Sequence, residues 1–334
     1  MLKYNPNLYG RSLLRLADLA DEEMAELIEM AIALKARRRA GVRGDLLRRR
    51  LVALIFEKSS TRTRTAASVA ICDEGGASEY LSKNDIHLGA KESVKDTARV
   101  LGRTFDGILF RGFAQKTVET LAQYAGVPVW NGLTDLFHPT QILADLMTIQ
   151  ENFGRLQGLK LAYVGDGRNN VANSLMIGCA KAGLDYVNCT PPELSPDAGL
   201  VAEAREIARR RGTEVSVVHD PKAGVAGANV IYTDVWISMG EEAQKETRIK
   251  LLRPYQVNMD LLRATGNEQG ELIFLHCLPS FHDNNTTVSA EYGAMEVTDE
   301  VFESSFSKVF DEAENRMHTI KALYVSAMAD LSAL

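Results

Sequence analysis

Nine short apolar runs rich in β-branched residues punctuate the chain: Leu51–Phe56, Ala77–Leu81, Gly107–Phe110, Pro128–Trp130, Lys160–Val164, Asp185–Cys189, Glu214–Val218, Asn229–Thr233 and Leu272–His276. Such runs suit strands covered on both faces, and their alternation with helical spacing is the mark of βαβ units and parallel sheets. Amphipathic stretches lie between them at Asp21–Ala40, Lys91–Arg103, Pro139–Phe153, Asn170–Ala182 and Asp197–Arg211, and a last long one begins near Asp311. The first opens on Asp21-Glu22-Glu23 and closes on Arg37-Arg38-Arg39, the charge order that a helix dipole favours.

The helix around Gln141–Phe153 separates four strands from five, so the pattern predicts an α/β chain of two doubly wound parallel-sheet domains joined by helices. The first ends near residue 148, and the active site is expected in the cleft between the two. A length of 334 residues with 46% hydrophobic content can bury two cores. The net charge of −6 argues against nucleic acid as a partner. Arg37–Arg39 and Arg48–Arg50 are local exceptions, read as solvated helix faces or ends. No apolar segment approaches the ~18 residues needed to span a bilayer, and Leu13-Leu14 is broken by Arg15 and Asp18. A soluble, cytoplasmic protein without a membrane partner is expected. Cys72, Cys179, Cys189 and Cys277 are far apart in sequence, which suggests neither a disulfide framework nor a thiolate zinc site.

In open α/β sheets ligands sit beyond the carboxyl ends of the strands. After Phe56 the chain reaches Ser60-Thr61-Arg62-Thr63-Arg64-Thr65 at the start of a helical segment. Free N–H groups, the helix dipole, hydroxyls and guanidinium groups together make a phosphate site. Arg111 follows the third run, and His138-Pro139-Thr140-Gln141 follows the fourth. Arg111 offers a fork for phosphate or a carbonyl oxygen, while His138 and Gln141 can donate to one oxygen from one side. In the second half, Gly165-Asp166-Gly167-Arg168-Asn169-Asn170 invites a dinucleotide reading, but Asn170 stands where the third glycine should be. Asn170 is then either a helix cap or a polar ligand contact. Asp234-Val235-Trp236-Ile237-Ser238-Met239-Gly240 and His276-Cys277-Leu278-Pro279 follow two later strands. Zinc is disfavoured there, because alternation along a strand would point His276 and Cys277 to opposite faces. A thiol nucleophile has no evident covalent intermediate to serve.

Taken together, Ser60–Thr63, His138–Gln141, Asp234-Val235-Trp236 with Ser238-Met239-Gly240, and His276–Pro279 resemble the ornithine carbamoyltransferases. The resemblance runs from Phe56-Glu57-Lys58 through Lys95-Asp96-Thr97-Ala98-Arg99 to Glu314-Asn315-Arg316-Met317-His318-Thr319. It implies a carbamoyl-phosphate domain over residues 1–148 and an ornithine domain over 149–317, with a final helix of about 318–334 returning to the first. By that likeness Ser60, Thr61, Arg62, Thr63 and Arg111 hold the phosphate, His138 and Gln141 sit at the carbamoyl end, and Arg316 with Cys277 and Leu278 closes over the same ligand. Asn170, Asp234, Ser238 and Met239 would hold the amino acid. His87 stands where some relatives carry Gln, in a loop that by the same likeness reaches the carbamoyl-phosphate site of a neighbouring subunit, which implies a homotrimer or a multiple of trimers. No metal and no cofactor are implied.

The expected reaction is attack of the δ-amine of L-ornithine on carbamoyl phosphate, giving L-citrulline and phosphate through a tetrahedral intermediate. Arg111, His138, Asp234 and Cys277 are the expected catalytic residues, and activity should rise above neutral pH as the amine loses its proton. An aspartate acceptor would call for more Arg or Lys in the second half, where Asp234, Glu241 and Glu242 stand instead. Putrescine has no carboxylate for Ser238 and Met239 to hold. A non-catalytic sensor of a phosphorylated ligand is the remaining alternative.

Overall fold

The computed structural model describes residues 5–86, 88–89, 91–237 and 244–329, so His87, Ser238 and Met239 lie outside the described residues. Each apolar run overlaps a strand, though β2 and β3 run one residue and β4 three residues past the expected end: β1 (Leu51–Phe56), β2 (Ala77–Ser82), β3 (Gly107–Arg111), β4 (Val129–Leu133), β5 (Lys160–Val164), β6 (Asp185–Cys189), β7 (Val215–Val218), β8 (Val230–Tyr232) and β9 (Ile273–Leu275). The helices are α1 (Asp21–Arg39), α2 (Thr61–Cys72), α3 (Val94–Thr104), α4 (Gln115–Ala125), α5 (Pro139–Phe153), α6 (Asn170–Ala182), α7 (Ala198–Arg211), α8 (Pro221–Val225), α9 (Lys245–Leu252), α10 (Met259–Arg263), α11 (Ser289–Tyr292), α12 (Asp299–Phe302) and α13 (Val309–Met328). Two compact units result, one formed by Met1–Met147 with Glu314–Leu334 and the other by Thr148–Ala313. Both divisions fall inside helices, α5 and α13.

The first unit holds a parallel sheet in the order β2-β1-β3-β4. Its centre is buried without alternation, as β1 and β3 show. Ala53, Ile55, Ile108 and Phe110 pack with Val118 and Leu121 of α4. The strand order reverses direction between β1 and β3, where two adjacent loops diverge and leave a crevice for a ligand. Phe56 pairs with Arg111 across that junction. α3 starts at Val94, later than the sequence pattern suggested, because the Ser93 hydroxyl caps it by accepting the Asp96 N–H at 3.1 Å.

The second unit carries a parallel sheet in the order β7-β6-β5-β8-β9. Ala162, Val164, Val187, Ile231 and Phe274 anchor its core. The order reverses between β5 and β8, so the turns after these strands flank the corresponding crevice. Tyr163 pairs with Tyr232 there, with their rings stacked at 6.2 Å. Thr233 ties the two strand ends by donating its hydroxyl to the Val164 carbonyl at 2.7 Å.

Candidate active site

A cationic cluster is built at the β1/β3 junction of the first unit. Ser60 caps α2, its Oγ accepting the Thr63 N–H at 3.2 Å. Ala66, Ala67, Ala70 and Ile71 are buried on the inner face of α2, and this packing fixes where the helix N-terminus points. Arg111 ends β3 at a register shift, since Phe110 pairs with Asn131 but Arg111 pairs with Leu133. Gly132 is the extra residue of this bulge, and a Cβ there would stand 3.0 Å from the Phe110 carbonyl oxygen. The shift re-aims Arg111.

Two guanidinium groups then converge on one hydroxyl. Arg111 Nη1 lies 3.3 Å from Thr63 Oγ1, and Arg316 Nη2, from α13, lies 3.4 Å from the same oxygen. Arg316 also donates to Thr140 Oγ1 at 3.3 Å, to His138 Nε2 at 3.3 Å and to Gln141 Oε1. Gln141 in turn donates Nε2 to Asp145 Oδ1 at 2.8 Å, which sets the orientation of its amide. Like charges brought this close repel, and an anion placed among them reverses the sign of the interaction.

His138 is buried, and that burial lowers its pKa well below the ordinary histidine value; the positive charges of Arg316, Arg111 and Arg62 push it further down. The imidazole is therefore neutral near pH 7. Because Nε2 accepts from Arg316, the ring proton sits on Nδ1 in this state. Such a neutral group can polarise a carbonyl by donating a hydrogen bond from Nδ1. Thr61 is exposed on the first turn of α2 and Arg62 is half-buried beside it.

The second unit gathers Asp234, His276 and Cys277 beyond β8 and β9. Burial raises the Asp234 carboxyl above its usual range, against the opposing pull of His276 and of the thiol hydrogen bond. Cys277 Sγ donates to Asp234 Oδ1 at 3.1 Å, and the Val235 N–H donates to the same oxygen at 2.8 Å. Asn169 Nδ2 donates to Asp234 Oδ2 at 3.0 Å. Asn170 is the first residue of α6 and not its cap: Asn169 is the cap, its Oδ1 accepting the Ala172 N–H at 2.8 Å. One position decides which amide turns back over the helix end and which is carried away on its first turn.

The opposite-face argument against zinc also fails on geometry. β9 ends at Leu275, so strand alternation no longer governs the next two residues, and ligand atoms of Asp234, His276 and Cys277 lie within 4.8 Å of one another. Hydrogen bonding already commits this donor set. The Leu278 N–H donates to His276 Nδ1 at 2.9 Å, which leaves the proton on Nε2, 3.2 Å from Glu296 Oε1. A metal at either nitrogen would have to displace one of these partners. A second trio, His282, Asp299 and Glu303, has the same spacing at the surface.

Glu296 and Glu312 organise this corner, and neither was marked by the sequence. Glu296 Oε1 also accepts from Ser280 Oγ at 3.1 Å and from the Phe281 N–H at 2.7 Å. Glu312 accepts the His276 N–H at 2.9 Å and the Tyr232 hydroxyl at 3.1 Å. Leu278 takes a left-handed backbone, φ 58°, costly for a branched side chain and maintained by such surroundings.

Both halves of the chain match known proteins. Residues 11–151 match the family description "Aspartate/ornithine carbamoyltransferase, carbamoyl-P binding domain", and residues 157–327 match its "Asp/Orn binding domain". The chain is 56% identical to a catabolic ornithine carbamoyltransferase of Bacillus licheniformis, over 97% of this chain and 98% of that relative. It is 52% identical to the catabolic ornithine carbamoyltransferase of Enterococcus faecalis, over 98% of each. The solved ornithine carbamoyltransferase of Pyrococcus furiosus superposes with a TM-score of 0.89 at 45% identity, covering 96% of this chain and 98% of that one. Matched in both halves, and more than half identical to named members over nearly its whole length, the chain belongs to the aspartate/ornithine carbamoyltransferase family.

Proposed function

We propose that this protein transfers the carbamoyl group of carbamoyl phosphate to the δ-amine of L-ornithine, releasing L-citrulline and phosphate. The observation that carries the proposal is the convergence of Arg111 and Arg316 on Thr63 Oγ1 at the capped start of α2, beside a neutral His138. In this reading Ser60, Thr61, Arg62, Thr63 and Arg111 hold the phosphate. His138 and Gln141 hold the carbamoyl end, and Arg316 exchanges its present partners for the ligand. Cys277 and Leu278 complete that site.

The neutral amine nitrogen attacks the carbonyl carbon, the oxyanion forms, and the C–O bond to phosphate breaks with its electron pair leaving on phosphate, which takes up the proton that the nitrogen releases. A hydrogen-bond donor preorganised for such an oxyanion is worth roughly 3 kcal/mol, and Arg111, His138 and Thr63 are placed to supply donors. An alkylammonium with a pKa of about 10.4 costs about 4 kcal/mol to deprotonate near pH 7.4. Asp234 and Cys277 orient that amine as it loses its proton. Asn170, Asp234, Ser238 and Met239 are assigned to the amino acid, and Asn169 joins them through its bond to Asp234. No step in this scheme calls for a metal or cofactor.

Support for ornithine over aspartate comes from the acidic Asp234 and from the names of the relatives. Those relatives are called catabolic, so the proposal extends to the reverse reaction, cleavage of citrulline by phosphate. We place the enzyme in the cytoplasm as a homotrimer or a multiple of trimers; among the described residues no helix is long and apolar enough to cross a membrane. The test is product formation from carbamoyl phosphate with ornithine, aspartate and putrescine side by side. Ornithine should be preferred by orders of magnitude, and equal rates with all three would refute the acceptor assignment.

A further inference from the structure

α1 has no part in the chemistry proposed above, yet its last turns hold the stretch of α13 that carries Arg316. Lys35, only 4% exposed, donates Nζ to Asn315 Oδ1 at 2.7 Å, and Asn315 is fully buried. Arg38, three residues further along α1, donates Nη1 to Met317 Sδ at 3.7 Å. Residues three apart share one face of a helix, so a single stripe of α1 holds both chain neighbours of Arg316. Arg39 adds an exposed ion pair to Glu314 at 3.4 Å, of the kind that contributes little.

A second contact pins α13 at Lys321, whose Nζ donates to Asp73 Oδ2 at 2.8 Å where Asp73 caps the C-terminus of α2. Arg38 and Arg43 reach the same carboxylate. Thr63 lies in the first turn of α2 and meets Arg316, so α2 is tied to α13 at both of its ends. A helix turns by roughly 100° and advances about 1.5 Å per residue. The Lys321 contact, five residues past Arg316, therefore sets the lie of α13 more than the reach of that one side chain, whereas Lys35 acts on the adjacent residue. Arg316 meets Thr63, Thr140, His138 and Gln141, neutral groups that hold a guanidinium less firmly than a carboxylate would. Its backbone has to be set by other contacts.

We propose that Lys35 is a positioning residue for the carbamoyl donor: by holding Asn315, with Arg38 on Met317, it fixes the rotation and axial position of α13 at which Arg316 reaches the phosphate pocket. Lys35 acts through Asn315 and not on the substrate. The proposal rests on the carbamoyl-transfer reading, because it assigns Arg316 to carbamoyl phosphate. A purely structural hydrogen bond would stabilise the first unit without favouring one substrate over the other.

The test is steady-state kinetics of the full chain for wild type, Lys35→Met, Asn315→Ala, their double variant, Asn315→Asp and Leu323→Ala, with thermal unfolding measured on each. Lys35→Met should raise the KM for carbamoyl phosphate roughly 10- to 100-fold, the scale of a small misplacement of a binding group. The KM for ornithine should stay within about twofold, as expected when only the donor's binding is lost. Asn315→Ala should behave alike, and the double variant should be no worse than the worse single one. Asn315→Asp keeps an acceptor for Lys35 Nζ and should stay closer to wild type than Asn315→Ala. Leu323, buried seven residues past Arg316 on α13, is the control: Leu323→Ala leaves a cavity and should lower the melting temperature without a selective change in either KM. If Lys35→Met fails to fold, Asn315→Asp against Asn315→Ala carries the same comparison. An unchanged KM for carbamoyl phosphate, or equal losses for both substrates that track the melting temperature, would overturn the proposal. A wild type that forms no citrulline would instead overturn the reading beneath it.

Discussion

His138 shows how burial among cations selects a chemical role. A solvent-exposed histidine near its ordinary pKa of 6.5 would be partly charged at neutral pH; here burial and three arginines keep it neutral. It is therefore suited to donate a hydrogen bond to a carbonyl and unsuited to supply a proton to the leaving group at neutral pH. His138→Asn should lower kcat/KM by about 10²- to 10³-fold with the fold retained, the scale of one lost oxyanion donor. An unchanged value would remove His138 from the reaction. Thr63 is equally exacting, since its one hydroxyl oxygen serves both Arg111 and Arg316. Thr63→Val should cost about 2 kcal/mol in urea unfolding, because hydrogen bonds to charged groups are the stronger kind; no change in the midpoint would count against that shared contact.

At the scale of elements, strands were more legible than the turns and caps beyond them. β1 is a continuous apolar run and β5 is apolar after its first residue, so pattern located the strands, if not each end, and pointed to Ser60, Arg111 and His138 as residues near a strand end. The cap of α6 is Asn169 and not the neighbouring candidate Asn170; both are competent caps and local sequence does not distinguish them. Their different positions have different consequences: Asn169→Ala should lose about 1 kcal/mol of stability as a cap and also weaken ornithine binding through Asp234, whereas Asn170→Ala should leave the cap intact. Equal stability losses from the two, measured by urea unfolding, would contradict the assignment. Glu296 and Glu312 were not legible. Their partner His276 lies 20 and 36 residues away in sequence, so only the pairing of distant strands brings them into place. The His276 and Cys277 orientations were misjudged for a related reason, since β9 stops one residue before them.

Across the whole molecule, acid should act on the fold and on the reaction in the same direction. His138 is held neutral, and burial of His318 outweighs its bond to Glu314, lowering it from 6.5 to about 4. Below pH 6.5 the unfolded chain takes up protons that these folded sites refuse, so stability falls on acidification, by at most about 1.4 kcal/mol per pH unit for each histidine. His318→Gln should make urea midpoints between pH 6.5 and 4.5 less pH-dependent; an unaltered slope would show that His318 does not contribute. Activity should rise between pH 6 and 9 as the acceptor amine loses its proton, and a flat profile would contradict amine attack. The central claim is that Arg111 and its neighbours in the first unit bind the carbamoyl donor while Asp234 and its neighbours in the second bind the amine. The most direct measurement is the KM of both substrates for Arg111→Met and Asp234→Asn. Arg111→Met should raise the KM for carbamoyl phosphate and Asp234→Asn that for ornithine, each leaving the other within about twofold; if both variants impaired the same substrate, the division of labour would be wrong.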